Sequence, residues 1–201
     1  MEQKDEFEFK IIVKTKVKNR GTGAGGANTN KNGLPYEAKV DLSTEFKSIR
    51  KSVINKNQFQ HIQFNSNENE YVVVKKSKLH SYMDVIGEKV KTIKIIAGCK
   101  EPDEAYIHLD TKNIFIIEKK FQQTSGSVDE KIQTFNIKKR HYSKLFPNYK
   151  VHYVYCLSDW FKKDDYADVV DMMNEDKIPV FWGDDSDYKS KIIQYIISNS
   201  L

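Results

Sequence analysis

The sequence has little of what would commit it to a covalent or zinc-built scaffold. Only two of its 201 residues are cysteine, Cys99 and Cys156, far apart and in no metal-ligand spacing. That excludes a disulfide framework, and reduced structural thiols point to a cytoplasmic protein. No apolar run approaches the roughly 18 residues that a membrane span requires, and the opening MEQKDEFEFK has no apolar signal core, so no membrane partner is expected. Proline is scarce, with four residues, and five of the nine glycines crowd into residues 21–33. The five histidines, His61, His80, His108, His141 and His152, lack zinc spacing, and none pairs with a cysteine as a nucleophilic dyad; structural roles are expected for them.

What is present suits one globular domain. Hydrophobic residues make up 39% and aromatics 12%, enough for a core, while charged residues reach 30%. The charge is unevenly spread. Residues 159–187 hold ten acids against three lysines, a local −7 that leaves +12 on the rest of a chain whose total is +5. A basic body attracts phosphate whatever its sequence, and ordinary solubility charge in a lysine-rich chain explains the same numbers.

Periodicity predicts the elements. FEFKIIVKTKVKN alternates apolar and charged residues and reads as a strand, followed by the loop GTGAGGANTNKNG. That loop lacks the Lys-Ser/Thr of a phosphate-binding loop; its Asn28, Asn30 and Lys31 are candidate DNA contacts, since asparagine pairs with adenine in bidentate fashion, and a linker is the plain alternative. Apolar residues at 34, 38, 42, 46, 49 and 53 predict a helix over 35–55. Strands follow at 59–64 and 71–75, a short helix at 78–87, and a strand at 91–98. Two apolar runs at 105–109 and 114–117, joined by DTKN, predict a hairpin. One amphipathic helix over 128–146 is expected, capped by Ser127 and Glu130. A strand at 151–157, a helix at 164–176, a strand at 178–182 and a closing helix at 187–199 complete the chain. The order gives a mixed sheet flanked by helices, an α/β or α+β class.

The run NIFIIEKKFQQ contains the chemistry. Ile114–Ile117 read as a strand buried on both faces, yet three charges follow, and a buried charge is costly unless paired, exposed or bound to metal. Alternation puts Glu118 and Lys120 on one face and Lys119 on the other. Pairing across DTKN brings Asp103 near the level of residues 118–120. Two carboxylates and an ammonium at one sheet edge suit Mg²⁺, which one or two carboxylates and substrate phosphate hold, and hydrolysis of a phosphodiester needs such a set. A surface salt bridge is the simpler alternative.

Pro102-Asp103 followed by Glu118-Lys119-Lys120 resembles the PD-(D/E)XK nuclease superfamily, which includes many type II restriction endonucleases, and the helix, three strands, helix, strand order over 35–157 is similar to its core. The resemblance implies Asp103 and Glu118 as metal ligands, Lys120 acting on the attacking water, and Glu37 as an additional carboxylate. The resemblance covers roughly 35–157, and chain length suits a single nuclease domain over 1–201: an N-terminal strand and glycine-rich loop (1–34), a catalytic core (35–157) and a C-terminal extension (158–201). The activity implied is Mg²⁺-dependent, sequence-specific cleavage of double-stranded DNA by a restriction-type homodimer, because two strands need two sites. Alternatives are a structure-selective repair or resolvase nuclease and a non-catalytic nucleic-acid-binding module. Candidate DNA contacts are Gln122, Gln123, Ser125 and Ser127 in the loop after the catalytic strand, and Gln133, Lys138, Lys139 and Arg140 beyond it. The exonuclease branch carries Gln and then Tyr four residues later; Gln133 is followed there by Ile137, which argues against a RecB-type exonuclease.

Overall fold

A computed structural model describes residues 35–95, 101–123 and 128–201. Seven strands form one sheet in the order β1-β2-β3-β4-β5-β6-β7: β1 (Phe46–Ile54), β2 (Asn57–Phe64), β3 (Tyr71–Val74), β4 (Glu104–His108), β5 (Asn113–Lys120), β6 (Lys150–Leu157) and β7 (Val180–Trp182). The first five run antiparallel in sequence order, and β5, β6 and β7 run parallel. A parallel neighbour needs a crossover, which is supplied before β6 by α3 (Val128–Ile132) and α4 (Phe135–Leu145) and before β7 by α5 (Ala167–Glu175). This is the mixed α/β sheet expected of the sequence.

Helices cover both faces, which is why β5 is apolar without alternation. One face, with Ile114, Ile116, Tyr153 and Tyr155, packs against α2 (Lys78–Val85), α3, α4 and α5 through Leu79, Ile132, Tyr142 and Met173. The other, with Phe115, Ile117, Val154 and Cys156, lies under Tyr36 of α1 (residues 35–39) and Ile192 and Ile196 of α6 (Tyr188–Ser198). The acidic C-terminal segment thus extends and caps the sheet.

Three expectations are corrected. The helix predicted over 35–55 stops at 39, and Phe46–Ile54 is a strand. Strand β1 has no buried residue, so it shows no period-two signal; it is held by pairing with β2 through a tight turn at Asn55 and Lys56, both at positive φ (48° and 66°), as a primed hairpin turn requires. In the strand expected at 91–98, residues 91–95 are turn and coil and the rest lie outside the described residues. The helix expected over 128–146 breaks at Gln133 and Thr134, where the Thr134 hydroxyl donates to the Lys131 carbonyl at 2.8 Å and takes an acceptor from the helix ladder. The strand expected at the N-terminus, the glycine loop with Asn28, Asn30 and Lys31, and Ser125 and Ser127 lie outside the described residues.

Alternation along β5 also turns Lys119 to the α6 face. Its ammonium donates to Glu104 at 2.8 Å, and Glu104 also accepts from the Tyr106 hydroxyl at 2.5 Å; both charged side chains are buried. Lys119→Met leaves the Glu104 carboxylate uncompensated and is expected to cost about 3–5 kcal/mol of unfolding free energy in urea titration, part of which Glu104→Gln restores in the double variant.

Candidate active site

The register of the β4–β5 hairpin positions the site. Glu104 pairs with Ile117, so Asp103, one residue earlier, stands beside Glu118 on the adjacent strand. The Lys119 backbone N–H donates to Asp103 Oδ2 at 2.7 Å and fixes that carboxylate at the sheet edge. Glu118 and Lys120 share the face covered by α4, and the charge needed to bury Glu118 comes from two directions. Lys120 Nζ lies 2.8 Å from Glu118 Oε1, and Lys138 Nζ, from α4, lies 2.9 Å from the same oxygen.

Lys120 also faces two further oxygens. Its ammonium lies 3.5 Å from Asp103 Oδ2 and donates to the Lys119 carbonyl at 3.1 Å. One cation is therefore surrounded by two carboxylates and a backbone carbonyl. Burial alone would push the Glu118 carboxyl up, but the ammoniums of Lys120 and Lys138 overcome it and hold the group below the usual carboxylate range. For Lys120, burial pulls down while Glu118 and Asp103 pull up more strongly, so its value is raised and it stays an ammonium at neutral pH.

The remaining predicted residues disperse. Glu37 is exposed on α1, which packs on the opposite face of the sheet, and its charge is felt at Lys75 on β3's end. Gln122 is buried; its amide donates to Asp129 at 2.6 Å, and its Oε1 has no hydrogen-bond partner among the described residues. Gln123 is exposed just after β5, and Gln133 is exposed in the α3–α4 turn, off any helix. Lys138, expected as a DNA contact, is buried against Glu118. Its neighbour Lys139 donates to the Asp176 carbonyl at 2.5 Å past the end of α5, whereas Arg140 is exposed beside a hollow of ≈ 380 Å³.

Sequence reasoning named Lys138 as a candidate DNA contact and did not place it beside Glu118. The signal was present: Lys138 and Tyr142 stand four apart on the helix after the catalytic strand, and Tyr142 is buried in the core of that face.

A family model described as a PD-(D/E)XK nuclease superfamily domain matches residues 47–145, which span β1 to α4 and include Asp103, Glu118, Lys120 and Lys138. No curated protein and no solved structure matches the chain.

Because the folded Glu118 value is depressed, its contribution to stability is complete above the unfolded carboxylate pKa and is lost as pH falls through the folded one. The stability difference between the wild type and Glu118→Gln should therefore be flat near neutrality and shrink on acidification below the ordinary glutamate range, read by urea unfolding across a pH series.

Proposed function

The chain belongs to the PD-(D/E)XK nuclease superfamily through the domain at residues 47–145, and on that premise we propose that it is a Mg²⁺-dependent endonuclease that hydrolyses double-stranded DNA at specific sequences. The observation that carries this reading is the Lys120 ammonium seated among oxygens of Asp103, Glu118 and the Lys119 carbonyl. An all-oxygen set already facing a cation is the donor chemistry of a hard divalent ion. Among the described residues no group of three or more His, Cys, Asp or Glu gathers, so the protein offers two carboxylates and a carbonyl. Water and substrate phosphate complete such a shell, which is how Mg²⁺ is usually held.

When bound, the metal polarises the phosphoryl group and lowers the pKa of a bound water. Asp103 and Glu118 would hold it, and the Lys119 N–H keeps Asp103 fixed beside Glu118. The Lys120 ammonium, held beside Asp103 and Glu118, would neutralise the charge that builds on the phosphate as water attacks. Lys138 keeps Glu118 ionised and oriented from the helix side. We place the whole chain in one nuclease domain acting as a two-fold homodimer, one site for each DNA strand.

Digestion of a large, fully sequenced unmethylated DNA tests the proposal. Discrete fragments sharing one end sequence are expected with Mg²⁺ and none with chelator, and Asp103→Asn, Glu118→Ala and Lys120→Ala should each slow cleavage by at least about a hundredfold. Titration calorimetry with Mg²⁺ should show heat for the wild type and none for Glu118→Ala. Cleavage of branched but not linear duplexes would assign a structure-selective nuclease instead.

A further inference from the structure

The β1–β2 hairpin lies apart from the carboxylate pair in sequence but level with it in the sheet. Gln60 pairs with Val73 and Val74 with Ala105, so Asn57 on β2, Lys76 past β3 and Asp103 before β4 fall on one line across the sheet. Ile54 pairs with Asn57, so the turn at Asn55 and Lys56 projects just beyond that line. From Asp103 to β1 is three strand spacings, about 14 Å. A duplex presents a major groove about 12 Å wide, and a two-stranded ribbon is one of the elements that groove admits.

The chemistry of the hairpin fits that ligand. Residues 46–64 contain Lys47, Arg50, Lys51 and Lys56 and no acid. Strand β1 is the sheet edge and has no fully buried residue, and Val53, beside the turn, is 69% exposed. Lys51, Lys76 and Lys78 line a groove of ≈ 550 Å³ together with Gln58 and Gln60. Among the described residues no ion pair involves Lys51, Lys56, Lys76 or Lys78, whereas Lys75 beside them is held by Asp41 at 2.7 Å. Lys56 and Lys76 keep a long cationic side chain at positive φ (66° and 53°), a backbone conformation that glycine holds at less cost.

We propose that the β1–β2 ribbon is the arm that holds duplex DNA against the carboxylate edge, with Lys51, Lys56, Lys76 and Lys78 on phosphates across a major groove from the scissile one. The proposal deepens the nuclease reading and rests on it. A charged edge strand also discourages edge-to-edge pairing, but that purpose does not require its turn to lie level with the carboxylates.

The test is binding of a short labelled DNA duplex in chelator over a salt series, for the wild type and for the variant Lys51→Ala/Lys56→Gly/Lys76→Gly/Lys78→Ala. The variant's plot of log affinity against log salt should be shallower by roughly three to four and its affinity at low salt at least about tenfold weaker. Its thermal midpoint should be unchanged or higher, because two glycines replace lysines at positive φ. A slope within one of the wild type's overturns the arm, as does an equal loss on single-stranded DNA. A change in molar mass by light scattering with an unchanged slope would make the ribbon a contact between copies. The nuclease reading is scored separately: a changed slope with no cleavage of any DNA by the wild type keeps the arm and sinks the nuclease, and cleavage with an unchanged slope does the reverse.

Discussion

Glu118 sits at the end of a strand whose preceding four residues are buried on both faces, and a lone carboxylate there would take up a proton or disrupt the packing. Two ammoniums prevent both. Lys120 comes from the same strand face and Lys138 from the helix above, so one oxygen ties the sheet edge to α4. The position of α4, the crossover into β6 and the exclusion of solvent from the edge all meet at this carboxylate.

The same strand separates two charge systems by parity alone. Lys120 faces the carboxylates of the candidate site, and Lys119, one residue earlier, faces Glu104 on the other side of the sheet. The side chain of Lys119 braces the α6 face while its backbone carbonyl and N–H serve the site face. One residue therefore couples the stability of one layer to the geometry of the other. A slip of one residue in the β4–β5 register would exchange the two systems and put Asp103 out of reach.

The sheet also arranges charge along its edge. Antiparallel pairing from β1 to β5 turns every second connection toward the carboxylates, so the Asn55–Lys56 turn and the end of β3 share an edge with Asp103 and Glu118. The acids of the C-terminal segment lie on α5 and in the connections that follow β6 and β7, on both faces of the sheet.

The β4–β5 hairpin, the sharing of a face by Glu118 and Lys120 and the closeness of Asp103 were determined by the sequence itself, because each follows from period-two alternation and a short turn, which are local. Tertiary structure alone decided the rest. Strand β1 carries apolar residues at helical spacing and is a strand because a partner ladder and a primed turn outweigh that pattern. Lys138 was legible as a basic residue on the face of buried Tyr142 and was expected on DNA; the packing of α4 on β5 brings its ammonium to Glu118 instead. Glu37 has the right chemistry but a helix on the wrong face of the sheet. Side chains brought together by one hairpin are legible in sequence, and those brought together by layer packing are not, because which face a helix covers is set by contacts many residues away.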